Sequence, residues 1–177
     1  MSDGGLRVRA AVDATHPTEI ATGVPVLDHL LTLLAAYGSF GLSLEVEPGA
    51  AAQEVAAAGR ALGEALAPEL RRGEARRHGS AVVPTDEALA HVALEASDRP
   101  LVVANVDLSD ARVAGLGSDL VRDFLRGLAE GAGLTLHVRL IEGSDAQHVL
   151  EAIFKALGVA LAQACRPRRT HLGKEQT

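Results

Sequence analysis

Side chains that can hold a metal ion or move a proton are concentrated in a few short segments of this sequence. The clearest segment is AQHVLE, in which His148 and Glu151 are three positions apart. On a helix this spacing places both side chains on one face, and an imidazole nitrogen beside a carboxylate oxygen is a common pair of transition-metal ligands. By itself such a pair more often marks a solvated helix face, so both interpretations stay open at this point.

Two further histidines are candidate metal ligands. His29 follows Asp28 near the start of an apolar segment, and His137 alternates with apolar residues in LTLHVRL. Each could supply a nitrogen ligand, although a strand histidine is more often a hydrogen-bonded filler.

Hydrophobic spacing predicts helices and strands that position these residues. Helices are predicted over 24–37, 53–70, 118–130 and 145–164, and strands over 6–13, 41–47, 80–83, 89–95, 100–107 and 134–141. Gly38 is expected to end the first helix. The polar residues after Pro167 are expected to form a loose tail.

The order helix, strand, helix occurs twice with similar sequences. LAAYGSFGLSLEVE (34–47) resembles LAEGAGLTLHVRLIE (128–142), and RALGEAL (60–66) aligns with KALGVAL (155–161) without a gap. The alternative is chance similarity between Ala- and Leu-rich helices, but GLSLEV and GLTLHV repeat in register as well. We therefore predict an internal duplication.

The duplication predicts an α+β fold of two half-domains. Each half is expected to contain a small mixed sheet with two helices, and the helices are expected to pack between the two sheets. We expect a single domain over 1–167, with halves at about 6–95 and 96–165, and a loose tail at 168–177.

Composition excludes several classes of function. The net charge of −6 leaves no basic footprint for nucleic acid, and 2% aromatic residues leave few rings for stacking on bases. Cys165 is the single cysteine, so the chain forms no internal disulfide and suits a reducing compartment. We expect a cytoplasmic protein that binds neither nucleic acid nor a membrane.

Five segments resemble motifs of the imidazoleglycerol-phosphate dehydratase family, in the family's order. They are TGVPVLDHLL (22–31), RRHGSAVVPTDEAL (76–89), DRPLVV (98–103), AGLTLHVRL (132–140) and DAQHVLEAIFKAL (145–157). The resemblance implies a lyase of histidine biosynthesis, which removes water from imidazole glycerol phosphate, a small phosphorylated imidazole, to give imidazole acetol phosphate. It also implies a homo-oligomer, a large cage in the family, with active sites between subunits.

The resemblance assigns a role to each candidate residue. It implies manganese as the cofactor, because metal ions on the substrate's ring nitrogens would turn the imidazole into an electron sink. The implied metal ligands are His29, His137, His148 and Glu151; the implied phosphate contacts are Arg77, Arg99 and Lys155; and the implied proton-handling acids are Glu19, Asp86 and Glu87.

The family's metal motifs are incomplete in this chain. Where the first helix motif of the family reads Asp-His-His-x-x-Glu, this sequence has alanine at 51, Ala52, Gln53 and Ala56, and Gln147 replaces the first histidine of the second motif. The internal repeat gives the same alignment, and the loop at 47–50 is also shorter than in the family. We therefore expect weak or substoichiometric manganese binding and impaired dehydratase activity. The alternative is a non-catalytic paralogue, which would be an assembly or regulatory subunit or a binder of a phosphorylated ligand.

Overall fold

Helices and strands follow one another in the order predicted, with three short strands added. The structure, a computed structural model, describes residues 8–13, 15–47, 51–106, 112–113 and 116–169. The elements are β1 (Val8–Val12), β2 (Glu19–Ala21), α1 (Pro25–Gly38), β3 (Leu42–Val46), α2 (Ala51–Leu70), β4 (His78–Thr85), β5 (Ala88–Ala96), β6 (Leu101–Ala104), β7 (Arg112–Val113), β8 (Leu116–Gly117), α3 (Ser118–Ala132), β9 (Leu134–Glu142) and α4 (Ala146–Cys165). Hydrophobic periodicity does not indicate the short strands β2, β7 and β8, because each spans only two or three residues.

Two sheets with matching topology confirm the predicted duplication. In the three-stranded sheet β1 is antiparallel to β3 and β2 is parallel to β3. In the four-stranded sheet β5 is antiparallel to β9 and β6 is parallel to β9, with β4 added beyond β5 as an edge strand. The repeated unit is therefore two strands, a helix, a strand and a helix.

Strand pairing places the start of the second half before the predicted boundary at residues 95 and 96. The predicted boundary divides the chain after β5, whereas β5 is the counterpart of β1 and pairs with β9 along its length. The second half therefore begins no later than Ala88, and with β4 included it begins at His78. The sequence repeat located the helices, but hydrogen bonds between distant strands decide which sheet a strand joins.

Glycines bring the helices of the two halves into close contact. Helix α1 packs on α4, and α2 packs on α3. A Cβ atom on Gly158 would lie 2.2 Å from the carbonyl oxygen of Leu34, and one on Gly63 would lie 2.5 Å from that of Leu128. These two glycines are the ones in KALGVAL and RALGEAL, so the same crossing occurs in both helix pairs.

The helices lie between the sheets, as predicted. Helix α2 contacts β1 and β3, and α4 contacts β4 and β5. In the middle of the core, the rings of Phe124 and Phe154 are 5.5 Å apart between centroids. Helix α4 has the length and apolar composition of a membrane span, but most of it is buried among the other elements. It is the core helix of a soluble protein.

The end of α1 and the C-terminal tail differ in detail from the prediction. Gly38 is the last residue of α1, and the left-handed residue that ends the helix is Ser39, with φ of 56°. Gly38 is needed for packing instead, because a Cβ there would lie 2.8 Å from the carbonyl oxygen of Gly158. In the tail, the N–H of Arg168 donates to the carbonyl of Glu74 at 2.7 Å, so the segment is attached at its start. Residues 170–177 lie outside the described part of the chain.

Candidate functional site

A carboxylate shared by two donors lies where α1 and α4 pack together. The Oε1 atom of Glu151 is 3.1 Å from Nε2 of His29 and 3.2 Å from the amide nitrogen of Gln147. The Glu151 side chain is 15% exposed and that of His29 is 53% exposed. Burial raises the pKa of Glu151, but the hydrogen bonds from Gln147 and His29 outweigh it and leave the pKa below its ordinary value. The carboxylate is therefore held in its ionised form.

The position of His29 depends on the residue before it. Oδ1 of Asp28 accepts the backbone N–H of Thr22 at 2.9 Å and the Thr22 hydroxyl at 2.5 Å. These bonds attach the end of β2 to the first turn of α1, where Pro25 starts the helix with a preset φ. The LDH motif thus contains a positioning aspartate beside the candidate ligand.

His148 is surrounded by acids from the β4–β5 turn. Its Nδ1 lies 2.7 Å from Oε2 of Glu87, and its Nε2 lies 3.3 Å from Oδ2 of Asp86. The other oxygen of Glu87 accepts the N–H of Asp145 at 2.9 Å. The bonds from Asp145 and His148 lower the pKa of Glu87 to about 2, and the Glu87 hydrogen bond raises the pKa of His148 above 6.5.

His137 lies on the other side of the four-stranded sheet. Along β9 it is exposed and alternates with the buried Leu136 and Val138, which face the helices. It shares a shallow cleft with His78 and Glu95 on the outer face of the sheet. Within one chain it is therefore separated by the sheet from the residues on α4.

The three candidate phosphate contacts fall into two places. Lys155 is one turn beyond Glu151, and its Nζ lies 5.3 Å from the centroid of the Tyr37 ring. The N–H of Arg77 donates to the carbonyl of Ala164, nine residues further along α4, or roughly 13 Å along the axis. Arg99 lies just after β5, at the sheet end that Arg77 also occupies. The chain thus separates Lys155 from the two arginines.

Glu19 lies apart from the other candidate residues. It is exposed on β2, at the edge of the three-stranded sheet. Among the residues that the structure describes, no hydrogen bond or ion pair joins Glu19 to another candidate residue. Asp86 and Glu87, in contrast, both contact His148.

The family model for imidazoleglycerol-phosphate dehydratase matches residues 22–161. This chain belongs to that family. It is 46% identical over 170 residues to an imidazoleglycerol-phosphate dehydratase of Syntrophobacter fumaroxidans, covering 93% of this chain and 86% of that protein. It is 38% identical over 171 residues to the one from Moorella thermoacetica, covering 92% and 85%.

Solved structures of the family have the same fold. The Pyrococcus furiosus enzyme, crystallised in complex with (S)-C348, superposes with a TM-score of 0.86 at 31% identity, covering 95% of this chain and 93% of that one. The Staphylococcus aureus enzyme superposes with a TM-score of 0.83 at 34% identity, covering 95% and 97%. The α+β half-domain architecture is therefore the family fold.

The donors of a single chain do not fit the manganese site that the family implies. Among the described residues, no three His, Cys, Asp or Glu side chains are grouped so that they could hold a metal ion. One carboxylate on a histidine can support metal binding through the other ring nitrogen. Nδ1 of His148 is hydrogen-bonded to Glu87, and its Nε2 lies 3.3 Å from a carboxylate oxygen of Asp86. His29 and Glu151 contact each other.

Helix α2 lacks the metal-ligand side chains that α4 has at the equivalent positions. The spacing between Gly63 and Gly158 is 158 − 63 = 95, and the same offset aligns Gln53 with His148 and Ala56 with Glu151. Gln53 is exposed on α2. The offset also aligns Arg60 with Lys155, but Arg60 forms an ion pair with Glu130 at 2.5 Å.

Sequence reasoning missed two local contacts that it could have found. Asp145 caps α4, with its Oδ1 accepting the N–H of His148 at 3.1 Å. An aspartate just before an apolar helical segment is a recognisable capping signal. The amide of Gln147 donates to Glu151, and the spacing of four residues on a predicted helix is the signal for that contact. The short loop at 48–50 lies outside the described residues.

Proposed function

We propose that this chain is a cytoplasmic lyase of histidine biosynthesis that recognises imidazole glycerol phosphate but dehydrates it with impaired turnover. The observation that carries the proposal is the contrast between the duplicated helices. Helix α4 has His148 and Glu151 where α2 has Gln53 and Ala56. One half of a duplicated set of metal ligands therefore retains a histidine and a glutamate, and the other half retains neither.

The size of the expected impairment follows from the missing donors. Metal ions bound to the substrate's ring nitrogens would stabilise the negative charge that forms when a proton leaves carbon. Loss of a single group near a metal typically costs 10- to 100-fold in affinity or activity. Alanine supplies no donor, and an amide is a poor replacement for imidazole.

A second copy of the chain is part of the proposal. Five large apolar side chains are exposed in the part of the chain whose burial is described, and four of them lie on the four-stranded sheet, namely Val82, Leu101, Val103 and Ile141. The helices cover its other face, and His137 lies among the outward-facing residues. Apolar surface of this kind favours a protein contact. Assembly through this face would let one copy present His137 to His29 and Glu151 of another copy, which we call the α1–α4 group.

The test is a direct assay of the purified chain. With saturating manganese, we expect dehydration of imidazole glycerol phosphate at least tenfold slower than by the Syntrophobacter fumaroxidans relative, with fewer than two tightly bound ions per chain. Equal turnover, or two tightly bound ions, would contradict the impairment.

The non-catalytic alternative is separated by a binding measurement in the same experiment. A paralogue that only binds a phosphorylated ligand should bind the substrate in calorimetry but form no imidazole acetol phosphate. It should also fail to support growth of a histidine auxotroph that lacks the dehydratase. Slow but measurable product formation favours the impaired enzyme.

A further inference from the structure

We infer that Gln147 is a positioning residue that holds Glu151 against His29 and thereby keeps this pair of donors from binding a divalent cation. The inference deepens the proposed function and rests on it for the idea that cations would bind at the α1–α4 group. It changes the role of Gln147 from a missing ligand to an active competitor. Oε1 of Glu151 then forms hydrogen bonds with His29 and Gln147 in place of a bond to a cation.

The geometry around Glu151 supports this role. Gln147 precedes Glu151 by four residues on α4, a spacing at which side chains on one helix face meet. Its amide nitrogen is 3.2 Å from Oε1 of Glu151, and Nε2 of His29 is 3.1 Å from the same oxygen. This one carboxylate oxygen therefore accepts from two hydrogen-bond donors, and a cation could bind to it only by displacing at least one of those hydrogen bonds.

Burial makes these bonds difficult for water to replace. The Glu151 side chain is largely buried, and hydrogen bonds to a charged group are stronger than those between neutral groups. His148, the other candidate metal ligand on α4, is hydrogen-bonded to Glu87 and lies near Asp86. The candidate ligands on α1 and α4 thus belong to two hydrogen-bonded groups, and Gln147 is part of the group that contains Glu151 and His29.

Two explanations of Gln147 differ in a measurable way. If the residue is only a lost ligand, replacing its amide with a methyl group should leave cation affinity unchanged. If it holds Glu151 in place, removing the amide should free the carboxylate and increase affinity. One hydrogen bond of ordinary net strength corresponds to a change of roughly two- to tenfold.

The experiment measures Mn²⁺ affinity of the full chain by electron paramagnetic resonance. The variants are Gln147→Ala and Gln147→Met, the second keeping the length of the side chain without its amide. We expect both to bind Mn²⁺ roughly two- to tenfold more tightly than the wild-type chain. Gln163→Ala, the same change twelve residues beyond Glu151 on α4, where the side chain contacts Ser80 instead, should leave the affinity unchanged.

A further variant shows whether the gain depends on Glu151. Combining Gln147→Met with Glu151→Gln should abolish the gain, which a general loosening of the helix would not explain. Circular dichroism confirms that each variant is folded. Affinity of both Gln147 variants no greater than that of the wild type, including no measurable binding by any of them, overturns the inference. Because the readout is relative affinity, it is independent of whether turnover is impaired.

Discussion

At the scale of single residues, three of the four candidate metal ligands contact other polar side chains. Glu151 is shared by His29 and Gln147, and His148 lies between acids from the β4–β5 turn. The types and positions of these residues were predictable from the sequence. Their pairing was not, because it joins residues as far apart as 122 positions in the chain.

The contact between Glu87 and His148 predicts a window of pH dependence. Glu87 has a lowered pKa, so its contribution to folding stability is present above about pH 4.5 and is lost as the pH falls towards 2. His148 has a raised pKa, so its contribution is complete below pH 6.5 and is lost as the pH rises through its folded pKa. The pair should therefore stabilise the fold most between about pH 4.5 and 6.5.

Replacing Glu87 with glutamine tests this prediction. The variant removes the carboxylate that holds the proton on His148, so we expect the pKa of His148, followed by NMR, to fall towards 6.5. The matched change Glu95→Gln, on the outer face of the sheet, should leave the pKa of His148 unchanged. An unaltered pKa in Glu87→Gln would show that the contact does not control this histidine.

At the scale of elements, the two helix crossings set the distance between the halves. Gly63 and Gly158 occupy equivalent positions, and each has a backbone carbonyl where a Cβ would project. The α2–α3 crossing also contains Gly59, Gly127 and Gly131, each with a carbonyl within 2.5 Å of an added Cβ. Helix α2, which contains Gln53 and Ala56, is thus in close backbone contact with α3.

Alanine at either crossing glycine should destabilise the protein. A Cβ at 2.2 to 2.5 Å from a carbonyl oxygen requires the helices to separate, and overpacking of this kind costs about 1–3 kcal/mol. We expect Gly63→Ala and Gly158→Ala to lower the free energy of unfolding in urea by such amounts. Gly73→Ala is the control, since nothing lies within 4 Å of an added Cβ there. Equal stability of all three variants would contradict the close crossing.

At the scale of the whole molecule, the four-stranded sheet divides the candidate residues. His29, His148, Glu151 and Lys155 are on the helix side, whereas His137 faces outwards beside exposed apolar side chains. A single chain therefore does not unite the residues that the family resemblance groups together. Assembly of copies through the outer face is the arrangement that could do so.

Introducing a charge on the outer face tests the assembly. Val103 is exposed and pairs in register with His137, so Val103→Lys places an ammonium in the proposed contact. Analytical ultracentrifugation should show a shift of the protein to smaller species. Ser43→Lys, at an exposed position of the three-stranded sheet, is the matched control. An unchanged assembly in Val103→Lys would exclude this face as the contact.

The sequence by itself determined the local features of this protein. Hydrophobic periodicity located α1 to α4 and the longer strands, and the RALGEAL and KALGVAL repeat revealed the duplication, because these signals arise between residues near in the chain. Tertiary structure decided that β5 belongs with β9, that His29 contacts Glu151, and that His137 faces away from α4. Such features depend on which distant segments meet, and a pattern of neighbouring residues contains no information about that.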